Sequence, residues 1–163
     1  MGDRSHDGPG LTVREGRPDD EAFVVGLGAA AFARFGDYGP IMREFLASPE
    51  VACFIAEAAG ERVGFALVET PRSHPGFVDL VAIAVDAEHR RKGVGRSLLA
   101  RVIASLEVRR DASLLVLTVA DDNDPAITLF RGLGFEMISG VFGRYAGGQT
   151  SRHMARQVLP GRS

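Results

Sequence analysis

Between Gly76 and Arg109 the hydrophobic pattern changes period once, and that change limits the folds open to the chain. GFVDLVAIAV (76–85) is almost continuously apolar, as a strand covered on both faces should be. From Gly93 onward Val94, Leu98, Leu99, Val102, Ile103 and Leu106 recur at helical spacing, with Arg96, Arg101 and Arg109 on the other side. SLLVLTVA (113–120) reads as a second buried strand. The pattern predicts a strand–helix–strand unit over 77–120.

The flanking segments extend this unit into one mixed α/β domain. LTVRE (11–15) reads as a first strand. Pro18-Asp19-Asp20-Glu21 opens a helix, since proline suits the first turn and carboxylates favour the positive end of the helix dipole. That helix is expected to continue to about Arg34, with a second short one over 40–47. VACFIAEAAGERVGFALVET (51–70) is two strand-like runs about Ala59-Gly60, an antiparallel hairpin. Asp124-Pro125 is read as cap and first position of a short helix ending at Gly132. FEMISGVF and a run near 150–159 supply two closing strands. Residues 1–10 (MGDRSHDGPG) read as a disordered lead, and 11–160 as the single domain.

Composition excludes several classes. The formal net charge of -2 gives the whole protein no electrostatic case for nucleic acid or an anionic membrane, so a basic site must be a local cluster. One cysteine, Cys53, rules out an internal disulfide and a cysteine-rich zinc site. His6, His89 and His153 have no metal-ligand spacing, and no metal is expected. No apolar run approaches ~20 residues and no signal-peptide pattern opens the chain, so a cytoplasmic protein is the default expectation.

HRRKGVGRSLL (89–99) concentrates positive charge ahead of two glycines at a helix start, each costing roughly 1 kcal/mol relative to alanine. The first turn of a helix presents unpaired N–H groups and a positive dipole end, and glycine removes the Cβ atoms that would hold an anion away. A cradle for a diphosphate is one reading; a basic loop whose glycines merely make a tight turn is the other. No P-loop sequence is present, and Leu98 stands where a dinucleotide fingerprint needs a third glycine or alanine. GLGAAA (26–31) fits that fingerprint but lies in a segment that begins as a helix, the wrong context for it.

RRKGVG (90–95) matches the Gln/Arg-x-x-Gly-x-Gly/Ala loop of the GNAT family of N-acetyltransferases, and LVAIAVDAEH and RSLLARVIASLE resemble its signature strand and helix. Asn123, Ala126, Leu129-Phe130 and Leu133-Gly134-Phe135 resemble the family's downstream motif, in the right order and separation. The resemblance runs from about residue 61 to 136. It implies a mostly antiparallel mixed sheet flanked by helices, with two central parallel strands that splay apart. It implies acetyl-CoA as cosubstrate: the pyrophosphate on the loop Arg90, Arg91, Lys92, Gly93, Val94, Gly95 with Arg96 adjoining, and the pantetheine arm on backbone groups of Ile83, Ala84 and Val85. Asn123 and Phe130 would meet the cofactor from the other side. The resemblance also implies a primary amine acceptor, on a small molecule or a peptide, and subunits that can pair through C-terminal strands into a homodimer.

Acyl transfer needs a neutral amine. At pH 7 an amine of pKa ~10 is about 0.1% neutral, a deficit of roughly 4 kcal/mol that a base must help overcome. Asp79 is the one ionisable side chain in its strand, and desolvation there would raise its pKa toward that of a base. It also precedes Arg90 by eleven residues, the spacing of the glutamate base in histone-acetylating relatives. A solvated carboxylate near the strand start is the competing reading. Phe130 stands where many relatives carry a tyrosine that protonates the leaving thiolate, so Tyr38 or Tyr145 would have to substitute; Tyr145 is taken as the candidate. Oxyanion donors are expected near Val85. Cys53 reads as a buried hydrophobe rather than an acyl carrier, and His74 as a surface loop residue. The alternatives from other classes are a non-catalytic acyl-CoA-binding sensor and a transferase of longer acyl groups.

Overall fold

The structure, a computed structural model, describes residues 10–158. Residues 1–9 of the expected 1–10 lead and the last residues of the 11–160 domain fall outside that range. A seven-stranded sheet in the order β1-β2-β3-β4-β5-β7-β6 forms the centre. Its strands are β1 (Leu11–Glu15), β2 (Val51–Ala58), β3 (Glu61–Glu69), β4 (Phe77–Val85), β5 (Leu114–Ala120), β6 (Glu136–Arg144) and β7 (Thr150–Gln157). Every neighbouring pair is antiparallel except β4 and β5, which run parallel. The helices are α1 (Glu21–Ala31), α2 (Gly39–Ala47), α3 (Val94–Val108) and α4 (Asp124–Gly132).

Most elements form for the local reasons visible in the sequence. Ala59 and Gly60 both take positive φ, 51° and 80°, the backbone that turns a hairpin with the twist of its strands. Along α3, Val94, Leu98, Leu99, Val102, Ile103 and Leu106 are all buried, at about 1.5–3 kcal/mol per large side chain. The α4 cap is Asn123 rather than Asp124: its Oδ1 accepts from the Ala126 N–H at 3.4 Å, and Asp124 lies in the helix. Pro18–Asp20 makes a 3₁₀ turn ahead of α1, which stops at Ala31 instead of near Arg34. GLGAAA lies inside α1. A Cβ on Gly28 would sit 2.6 Å from Met42 Cγ, so this glycine lets α1 approach α2 and holds no nucleotide.

Two apolar clusters lie on opposite sides of the sheet. One joins α3 and α4 to Val78, Leu80, Leu115 and Leu117; the other joins α1 and α2 to Ile55, Phe65, Leu67, Ala82 and Ala84. Strand β4 contributes to both because it carries one extra residue. Leu67 of β3 pairs with Ala82 and Val68 with Leu80, leaving Val81 with no residue opposite. This bulge puts Val81 and Ala82 on the same side and reverses the alternation beyond them. The expectation of a strand buried on both faces is corrected here. Val78, Leu80, Ala82 and Ala84 are buried, while Asp79, Val81, Ile83 and Val85 are only partly so.

Candidate active site

Strands β4 and β5 pair only from Phe77↔Leu114 to Leu80↔Leu117. Beyond that point they part, as the resemblance implies, and a cleft of about 440 Å³ opens between them. Its strand walls are Asp79 to Ile83 and Leu117 to Ala120, its helical wall is Asn123, Ala126 and Phe130, and aromatic side chains close the remaining side. A β4 edge without a strand partner offers backbone hydrogen-bonding groups to an extended ligand arm.

Of the residues singled out in the sequence, Asp79, Ile83, Asn123, Phe130 and Tyr145 all line this cleft. Ala84 and Val85 do not: the Ala84 side chain is buried in the α1/α2 cluster, and Val85 packs on the α3 side. Arg90 Nε donates to the Val85 carbonyl at 3.3 Å, which ties the basic loop to the strand end. Arg91 and Gly93 both have positive φ, 63° and 82°, and Gly93 is the N-cap of α3. A Cβ on Gly93 would meet nothing within 4 Å, so open space lies over this backbone. Gly95 is different, because a Cβ there would lie 3.2 Å from Leu129 Cδ2. It permits close packing of α3 on α4. Val94 is buried, so only its backbone is available, whereas Arg90, Arg91, Lys92 and Arg96 are exposed and, among the described residues, in no ion pair.

Asp79 is partly buried and has no hydrogen-bonding or ionic partner among the described residues. Burial raises its pKa, the Glu69 carboxylate opposite it on β3 raises it further, and His153 partly offsets both. The Tyr145 phenol is pushed up to about 12, chiefly by burial and secondarily by Tyr38. Its ring centroid stands 4.8 Å from that of Phe35. Phe130 is buried against Phe135 and carries no proton to give.

Apart from Tyr38, the sequence reading missed the roof of the cleft. Phe32, Phe35, Tyr38, Ile41 and Phe45 come from α2 and the segment joining it to α1. Two connections hold this segment across the site: Gln149 Nε2 donates to the Arg34 carbonyl at 2.8 Å, and the Gly147 N–H donates to the Phe35 carbonyl at 3.0 Å. A Cβ on Gly147 would overlap the Arg34 carbonyl. The aromatic residues of AFARFGDY were a visible signal for a lined cavity; the bulge at Val81 left none. Cys53 lies on β2, outside the cleft, with its thiol pushed up to about 12 by burial first and by Asp20 second. His74 is exposed and bonded to Ser73 Oγ at 2.9 Å. Among the described residues no group of His, Cys, Asp and Glu could hold a metal ion, and no helix is long and apolar enough to cross a membrane.

A sheet split between parallel strands, with a glycine-capped helix at the mouth of the split, is the arrangement that the resemblance to the GNAT family implies. A model of the acetyltransferase (GNAT) family matches residues 19–135. The chain is 34% identical over 124 residues to an N-alpha-acetyltransferase of Sulfurisphaera tokodaii, covering 69% of this chain and 72% of that one. It is 29% identical over 163 residues to an N-alpha-acetyltransferase of Saccharolobus solfataricus, covering 93% and 95%. Its fold is similar to that of the ribosomal-protein-S18-alanine N-acetyltransferase from Escherichia coli, with a TM-score of 0.75, 23% identity and coverage of 94% and 97%. The chain belongs to the GNAT family and is an acetyltransferase.

Proposed function

We propose that this acetyltransferase moves the acetyl group of acetyl-CoA to the α-amine of a peptide or protein. The observation that carries this reading is the divergence of β4 and β5 beyond Leu80 and Leu117, with the uncommitted Gly93 turn at its mouth. The N-alpha-acetyltransferase relatives supply the choice of acceptor within the broader class of primary amines.

The backbone from Arg90 to Gly95 would bind the pyrophosphate, with Arg90, Arg91, Lys92 and Arg96 supplying charge. The free edge of β4 about Ile83 would hold the pantetheine arm, and Asn123 and Phe130 would face it from α4. Acetyl-CoA brings the activated thioester; the chain's own groups position it and manage protons. Asp79 takes a proton from the bound ammonium, and the amine adds to the thioester carbonyl. The oxyanion expected near Val85 is better served by backbone N–H groups at the Val81 bulge, because the cleft ends at Ile83. Tyr145 keeps its proton at neutral pH. Handing it fully to a thiolate of ordinary pKa ~8.5 would be uphill by about 5 kcal/mol, so its role is a hydrogen bond to the departing sulfur.

The test is CoA release from acetyl-CoA with peptides bearing free or blocked N-termini, beside polyamines and free lysine. Release only with free peptide N-termini supports the reading. Release with polyamines alone overturns the acceptor, and binding of acetyl-CoA with no release on any amine overturns the enzyme mechanism. Gly93→Val should weaken acetyl-CoA binding about 10- to 100-fold by calorimetry, since it strains a left-handed position and fills the space above it.

A further inference from the structure

An ammonium acceptor that becomes an amide loses two protons: R–NH₃⁺ plus the thioester gives R–NH–acetyl, the thiol and one H⁺. The thiolate sulfur recovers one of them and the other must leave the cleft. Asp79 takes the first, and the structure offers a separate place for the second.

Asp79 pairs laterally with Val116 of β5; Thr118, two residues on, shares its face and lines the cleft. Thr118 in turn pairs with His153 of β7, and Thr118 Oγ1 lies 3.3 Å from His153 Nδ1. His153 does not line the cleft and is partly exposed, so it meets the cleft through the threonine hydroxyl and bulk water on its own. The titratable groups that the sheet places toward it are Asp79 on β4, two strands away, and Glu136 on β6, which pairs with Ala155 two residues along β7; Tyr145 lies in the β6–β7 connection.

We propose that Thr118 and His153 form a relay that carries the acceptor's second proton out of the cleft. This rests on the acetyl-transfer reading above. The amine N–H bond breaks as its proton passes to Thr118 Oγ1; the threonine O–H proton passes to the lone pair of His153 Nδ1. The resulting imidazolium then gives up a proton to water. His153 acts through Thr118 and is a positioning and relay residue; only the threonine hydroxyl meets the substrate.

The experiment combines pH profiles of kcat/KM for wild type, His153→Gln, Thr118→Val and Thr118→Ser with ¹⁵N NMR of the imidazole. In wild type and Thr118→Ser, kcat/KM should rise with pH along a limb that depends on the relay. His153→Gln and Thr118→Val should lose that limb and fall about 10- to 100-fold at pH 7, with acetyl-CoA affinity unchanged. The NMR spectrum should show Nε2 protonated and Nδ1 accepting, with the Nδ1 resonance displaced by Thr118→Val. A limb that survives in either variant, an equal loss at every pH, or an Nδ1–H tautomer overturns the relay. Wild-type protein that transfers no acetyl group overturns the reading beneath it, and is seen before any variant is made.

Discussion

Two carboxylates, Asp20 and Asp79, sit out of bulk water on the same molecule and are treated in opposite ways. Asp20 is 2% exposed, and Arg14 grips it with two nitrogens at 2.8 and 2.9 Å. Arg62 Nε adds a bond at 2.7 Å and the Arg17 N–H another at 2.6 Å. The Arg14 hydrogen bonds, more than any other cause, hold this carboxyl well below the usual carboxylate range against the opposing effect of burial. Asp79 receives no such donors and faces Glu69 instead, so its pKa moves up. The first arrangement serves the fold, because satisfied charge fixes β1 to the start of α1. The second leaves a proton affinity unspent, which is what a base requires.

The largest expected effect follows from removing the unsatisfied group. Asp79→Asn should lower kcat/KM by about 100- to 1000-fold at pH 7 and less at pH 9, where more of the amine is already neutral. An equal loss at all pH values would make Asp79 structural, like Asp20. Asp20→Ala should cost about 2–3 kcal/mol in urea unfolding while leaving kcat of the folded enzyme unchanged, because two arginines lose a buried partner but remain within reach of water. The sign of its pH dependence is fixed by the lowered pKa. The contribution of Asp20 is complete above the unfolded value, ~3.9, and is lost as pH falls through the lower folded value. Asp79 has the reverse sign: its raised pKa costs stability as pH rises. Asp79→Asn should therefore raise the melting temperature by a few degrees at neutral pH and by nothing near pH 3, measured by calorimetry. The smallest effect belongs to Cys53, whose thiol lies near Asp20 and away from the cleft. Cys53→Ala should leave turnover unchanged within twofold, and a large loss would reopen the covalent route.

How much of this was legible depended on whether the cause was local. The strand-to-helix transition at Gly93, the hairpin at Ala59-Gly60 and the buried face of α3 follow from residues within one or two turns of each other, and the sequence showed them. Asp79 stood out for the same reason, as a charge in an apolar run. Its lack of a partner was not legible, since that depends on Glu69 and His153 arriving from other strands. Nor was the roof, which depends on Gly147 and Gln149 meeting Arg34 and Phe35 across more than a hundred residues. Asn123 showed its identity but not its place at the cap, because Asp124 and Asn123 are equally good caps by type.

The bulge at Val81 carries a consequence for how this protein can be altered. Upstream of it β4 faces its even-numbered side chains to α3; downstream it faces them to α1 and α2. Deleting Val81 would restore simple alternation and leave Ala82, Ile83, Ala84 and Val85 on the sides they already occupy, because Leu80 and Ala82 pair with adjacent residues of β3. Both cores would keep their phase, and only the edge that borders the cleft would lose its irregular backbone. The extra residue therefore belongs to the cleft and not to the two cores. In this segment chain length tunes the site separately from the fold, a quantity that substitution scans leave untouched and that a one-codon deletion would expose.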